Sequence, residues 1–79
     1  MGKNERKIGQ LIAQITGHNL DEVMEGGELG SLAGWDSFSH INIILEIEEA
    51  FGLSLDIEDL EKMNSFSSIV DTVESKIQS

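Results

Sequence analysis

The chain has 79 residues, no cysteine and no proline, and 15 Asp and Glu against 5 Lys and Arg, for a formal net charge of -10. That length allows one domain, 1–79, with a small core, and the missing thiol excludes disulfides, Cys-ligated zinc or iron–sulfur centres and a cysteine nucleophile. The acidity disfavours nucleic acid, whose phosphates need Lys and Arg, and favours basic protein surfaces as partners.

The N-terminal "MGKNERKIGQ" has no apolar signal core. Arg6 stands where a myristoylation signal needs Ser or Thr. No stretch approaches the roughly 18 apolar residues of a membrane span. A cytoplasmic protein is the expectation. "NERKIGQLIAQITG" then places Ile8, Leu11, Ile12 and Ile15 at helical spacing. Asn4 or a neighbour can cap this first helix, Gly17 can end it, and Gly9 inside it costs some helix stability. Residues 18–35 read as a long structured loop, with a short helical turn possible over 20–24. Leu20, Val23, Leu29, Leu32 and Trp35 are its candidate contacts with the core, and a loop of this length in a small domain is often functional.

"DSFSHINIILEIEEAF" reads as the second helix, with Gly52 as its stop. Four Ile crowd it, but the alternation of a strand breaks at Ile44 and Leu45. At about 100° per residue the helix carries two apolar stripes. Ile43, Ile44, Ile47 and Phe51 form one and are the expected core face. Phe38, Ile41 and Leu45 lie nearly opposite, flanked by Glu48 and Glu49. Either the Gly-rich loop covers this second stripe, or it is an exposed apolar strip edged by carboxylates, which is the pattern of a docking face. "SLDIEDLEKMNS" supplies a short third helix, capped by Ser54 or Asp56, with Leu55, Ile57 and Leu60 inward. "SFSSIVDTVESKIQS" supplies the last, capped by Ser65 or Ser67, with Phe66, Ile69, Val70, Val73 and Ile77 on one face and Lys76 near the negative end of the helix dipole. The expected fold is all-α: a small four-helix bundle of three longer helices plus a short third one.

Ser37 follows Asp36 where the second helix starts. One of the two can cap the free N–H groups. Ser37 can equally be a chemical attachment point, since a helix N-terminus favours a phosphoryl group. A Ser37–His40–Asp36 hydrolase site is a poor reading, because the three are too close in sequence, no oxyanion site is evident and G-x-S-x-G is absent. His40 is then a partly exposed neighbour of Ser37, and His18 a loop residue. "DIEDLE" lacks the glycine and Asp/Asn series of a calcium loop, so no metal site is expected. No residue is assigned a catalytic role.

"WDSFSHINIILEIEEAFGLSLDIEDLEKMNSFSSIVDTV" resembles the acyl carrier proteins and the related peptidyl and aminoacyl carrier domains. The family's hallmark is Asp-Ser-Leu at the start of its second helix, matched by Asp36 and Ser37, with Phe38 in place of leucine. "LEIEEAFG" is similar to the family's second-helix end, at Leu45, Glu48, Glu49, Phe51 and Gly52. The first helix is matched only by pattern. The resemblance implies a four-helix carrier fold that is not an enzyme. Its Ser37 would bear covalent 4'-phosphopantetheine, moved from coenzyme A by a carrier-protein synthase. The cofactor's thiol would hold acyl or aminoacyl groups as thioesters, so the chain needs no cysteine. Partners would be acyl- or aminoacyl-transferring, condensing or thioesterase enzymes whose basic surfaces dock on Phe38, Ile41, Leu45, Glu48 and Glu49. Asn42 replaces a glutamate common in fatty-acid carriers, and the "GWDS" opening is more like free-standing carriers of specialised pathways. The cargo stays open among fatty acid, polyketide, nonribosomal peptide and cell-wall chemistry. The other reading is an unmodified acidic interaction module in which Ser37 only caps a helix.

Overall fold

The computed structural model describes residues 2–78. Five helices follow one another: α1 (Gly2–Thr16), α2 (Leu20–Met24), α3 (Ser37–Phe51), α4 (Ile57–Lys62) and α5 (Phe66–Gln78). The architecture is the expected all-α bundle of three longer helices and a short one before the last. The possible turn at 20–24 is a helix in its own right.

α1 begins two residues before Asn4 and buries Ile8, Ile12 and Ala13. It ends where Gly17 takes φ +80 and both Gly17 N–H and His18 N–H donate to the Ala13 carbonyl, a left-handed cap that glycine accepts without steric cost. Gly9 has a packing role. A Cβ there would lie 2.6 Å from Leu20 Cδ1 and 3.4 Å from Phe66 Cε1, so its bare face lets α2 and α5 close on α1.

α2 is held by a reciprocal cap: the Asn19 side chain accepts Glu22 N–H, and the Glu22 side chain accepts Asn19 N–H. Its Val23 is fully buried. Beyond it the Gly-rich segment crosses to the start of α5, where Leu29 N–H donates to the Asn64 carbonyl and Phe66 N–H to the Gly27 carbonyl. The core takes Ile8, Ile12, Val23, Trp35, Ile43, Ile47, Met63, Ile69 and Val73 as its most buried side chains. Leu29 and Leu32 pack against its edge, as expected of the loop.

α5 is capped by Ser65, whose hydroxyl accepts Ser68 N–H while Ser68 Oγ accepts Ser65 N–H. Phe66, Ile69, Val70 and Val73 are buried, whereas Ile77 is 45% exposed. Lys76 reaches Asp59 at 2.8 Å and ties α5 to α4.

α4 departs from expectation. Asp56 is its cap, but the helix buries none of its residues. Leu55 packs against the core, but Leu60 is 38% exposed and Ile57 74% exposed, so neither faces inward as expected. The reason is geometric. Ile57 is the first residue of a six-residue helix that lies along α5, and the buried place on this side belongs to Met63, just past the helix end. Among the described residues no helix is long and apolar enough to cross a membrane.

Candidate functional site

The site forms where the loop delivers Trp35, Asp36 and Ser37 to α3. Trp35 is 1% exposed and anchors the loop in the core. Gly34 before it takes φ +87 with its α-carbon pressed against the end of α1: a Cβ would sit 2.5 Å from the Thr16 carbonyl oxygen. Only glycine fits both demands. Asp36 is the helix cap; its carboxylate accepts Ser39 N–H at 2.9 Å. That bond holds the Asp36 carboxyl below its ordinary pKa.

The cap question is thereby answered. Ser37 is the first residue inside α3 and is exposed, and among the described residues nothing hydrogen-bonds to its hydroxyl. A solvent-facing hydroxyl at the positive end of a fifteen-residue helix is open to derivatisation, and an anionic group linked there sits in a favourable field.

His40 faces inward. Its Nδ1 accepts the Trp35 indole N–H at 2.9 Å, and the two rings stack with centroids 6.1 Å apart. Burial lowers its pKa, and the Met63 backbone carbonyl opposes that shift. With His40 Nδ1 committed to Trp35 and the Asp36 carboxylate committed to Ser39, no nucleophile–base pair is assembled at Ser37. No group of three or more His, Asp or Glu side chains could hold a metal among the described residues.

The two stripes of α3 separate into a buried and an exposed one, which decides between the two alternatives left by the angular count. Ile43, Ile44 and Ile47 are buried, and Phe51 is half-buried under Lys7, whose Nζ lies 4.9 Å from the ring centroid. Phe38, Ile41 and Leu45 are 75%, 59% and 57% exposed; the loop does not cover them. Glu49 is exposed beside them. Glu48 is different. It is half-buried, and its Oε2 accepts Leu55 N–H at 3.0 Å, closing the turn from α3 to α4. A groove of about 390 Å³ runs beside the exposed stripe, lined by His40, Ile41, Ile44, Leu45, Glu48, Leu55 and Leu60. Asn42 lies elsewhere, with Leu11, Gln14, Ile15 and Glu46 in a polar depression between α1 and α3. The sequence reading missed the Trp35–His40 pair; a histidine five residues after a tryptophan across a loop–helix junction has no periodic signature.

A family model described as the phosphopantetheine attachment site matches residues 6–73. The chain is 30% identical over 71 residues to an acyl carrier protein of Thermotoga maritima, covering 90% of this chain and 88% of that one. It is 26% identical over 76 residues to one of Buchnera aphidicola, covering 96% of both. A third, from Desulforapulum autotrophicum, is 29% identical over 73 residues, with 91% of this chain and 95% of that one covered. The match covers α3, the loop before it and most of α1 and α5, and on it the chain belongs to the acyl carrier protein family: a non-catalytic carrier that bears covalent phosphopantetheine and holds acyl groups as thioesters.

Proposed function

We propose that Ser37 is the residue that carries the phosphopantetheine, and that Phe38, Ile41, Leu45 and Glu49, with Glu48 behind them, form the face on which partner enzymes dock. The observation that carries the first part is the division of labour at the start of α3. Asp36 does the capping, which leaves the Ser37 hydroxyl exposed and without a hydrogen-bond partner among the described residues. The residues present fit the group. The hydroxyl can bear a phosphodiester, the helix N-terminus favours its charge, and the segment is held by the buried Trp35. Once attached, the group supplies the thiol that the chain lacks and on which acyl or aminoacyl cargo rides as a thioester.

The docking face rests on chemistry of a different kind. Three large apolar side chains on one exposed stripe, next to a carboxylate on a chain of net charge -10, suit a partner that offers apolar contacts ringed by Lys and Arg. Such partners are the carrier-protein synthase and enzymes that load, extend or release thioesters.

Intact mass after incubation with coenzyme A and a broad-specificity carrier-protein synthase tests the attachment site. The wild type gains one phosphopantetheine mass, mapped by peptide analysis to Ser37, and Ser37→Ala gains none. Labelling of Ser37→Ala equal to that of wild type overturns the assignment.

A further inference from the structure

His40 lies three residues after the attachment serine, yet neither attachment nor docking uses its ring. Its surroundings are specific. An indole N–H can only donate, so the 2.9 Å contact from Trp35 Nε1 requires His40 Nδ1 to be the accepting nitrogen. The proton of the neutral ring is then on Nε2, and the Met63 backbone also hydrogen-bonds the ring. One imidazole thus joins three segments: the loop through Trp35, α3 through its own backbone, and the α4–α5 junction through Met63.

We propose that His40 is a positioning residue for the modification of Ser37: its neutral ring clasps Trp35 and so fixes the loop that presents Asp36 and Ser37, and a second proton on the ring opens that clasp. The inference rests on the assignment of Ser37 above. Its chemistry is that of opposed donors. Protonation of Nδ1 turns the acceptor into a donor and sets two N–H groups against each other. Trp35 is 1% exposed, so its N–H has no access to water in place of the lost acceptor, and a buried orphan donor is costly. The strain falls on the residue next to Asp36, whose carboxylate holds the first turn of α3.

Few charges near His40 can blur this response. On its own helix, Glu48 lines the same groove but is bonded to Leu55 N–H. Asp36, one turn earlier, accepts Ser39 N–H with its carboxylate and His40 N–H with its carbonyl. The turn into α4 and α4 itself present Leu55 and Leu60 to the groove. From the α4–α5 junction comes the uncharged Met63 carbonyl. Burial in this setting keeps the ring neutral to a lower pH than a free histidine.

Trp35 is the chain's single tryptophan, so its indole N–H gives one resolved amide-type resonance that reports the clasp directly. In the wild type that resonance and the His40 ring resonances should shift together, with a common midpoint below the ordinary histidine value of 6.5. His40→Asn keeps an acceptor near the Nδ1 position without a titrating proton, and its indole resonance should stay put across the same range. Modification by a synthase with coenzyme A supplies the functional readout. The ratio of kcat/KM for wild type over His40→Asn cancels the synthase's own pH dependence. It should be constant above pH 7 and fall about tenfold once His40 is protonated, the scale of one lost hydrogen bond to a buried group. His40→Leu, with no acceptor, should be modified slowly at every pH, and circular dichroism shows whether it folds. A wild-type indole resonance that ignores His40 titration overturns the clasp. A wild-type to His40→Asn ratio that stays flat overturns the positioning role even if the resonance moves. Failure of the wild type to be modified at pH 8 overturns the Ser37 assignment, and the positioning role with it, whereas the indole titration still decides whether the clasp exists.

Discussion

Ile47→Ala and Leu45→Ala remove the same number of carbons from positions two residues apart on α3, and the structure predicts very different losses. Ile47 is 0% exposed and Leu45 is 57% exposed. Each substitution deletes three carbons, about 2.4 kcal/mol of transfer free energy at roughly 0.8 per buried methylene. At Ile47 the whole of that is lost, and the closed core adds a cavity term, so about 2–5 kcal/mol is expected. At Leu45 less than half of the side chain is shielded and no closed cavity forms, so the loss is about 1 kcal/mol. A domain of this size has only about 4–12 kcal/mol in total, so Ile47→Ala should fall by a large part of it. Urea melts of wild type and both variants read the difference as midpoint shifts at constant slope. Leu45→Ala should instead slow modification or transfer, since it truncates an anchor of the proposed docking face. If Leu45→Ala loses as much stability as Ile47→Ala, both stripes are core and the partner surface lies elsewhere on the molecule.

Glu48 and Glu49 should separate in the same way. Glu49→Lys should leave the urea midpoint nearly unchanged while slowing association with a basic partner, an effect that fades in high salt; Glu48→Lys should also lower stability by about 1–3 kcal/mol, because Leu55 N–H loses its acceptor, while Glu48→Gln keeps an acceptor and should not. Gly34→Ala should cost more than Gly30→Ala in the same melts: both take positive φ, which costs about 1–2 kcal/mol in other residues, but only at Gly34 does a Cβ strike the Thr16 carbonyl. His18 should make stability pH-dependent. Its ring bridges Glu22 and the Ala33 carbonyl, and the Glu22 bond, then the Ala33 bond, raise its pKa above 6.5. A raised pKa means that the protonated ring stabilises the fold below pH 6.5 and that the contribution is lost as pH rises through the folded value. The urea midpoint of wild type relative to His18→Gln should therefore fall on going from pH 6 to pH 8, and a constant difference would refute the bridge. His40 has the opposite sign: its pKa is lowered by burial, so its contribution is present above 6.5 and lost as pH falls through the folded value.

The helices that bury one face were legible in the sequence. α1 and α5 carry Ile8, Ile12, Ile69 and Val73 at spacings that only a helix can turn to one side. The helix α3 and its core stripe were legible too, but not whether Phe38, Ile41 and Leu45 opposite it stay open, because that depends on where the Gly-rich loop packs. The cap was not, because Asp36 and Ser37 are both capping residues, and which of them serves depends on a one-residue shift that the loop sets through Gly34 and Trp35. α4 misled for a related reason. In six residues a 3.6-residue period barely repeats, so Ile57 and Leu60 read as core when the core contact passes to Leu55 before the helix and Met63 after it. Neither of those two is in the helix, so neither carries a periodic signal.

Charge was the least reliable guide to the site's detail, and Glu48 shows why. The sequence presents Glu48 and Glu49 as one acidic edge. The structure turns one carboxylate to solvent and commits the other to a backbone N–H across the α3–α4 turn. A carboxylate that satisfies a backbone donor has given up part of its freedom to meet a partner's cation, and removing it perturbs the turn as well as the charge. Asp36 repeats the pattern at the other end of the helix, where the negative group nearest Ser37 is turned onto Ser39 N–H. So a carboxylate at each end of α3 is committed to a backbone N–H, that of Ser39 in its first turn and that of Leu55 in the turn that follows it. Between those two ends α3 presents Phe38, Ile41 and Leu45 to solvent, and the fixed points keep the helix in place while this stripe stays open. A partner that docks there meets an apolar ridge whose backbone is already set, which lowers the ordering cost of association.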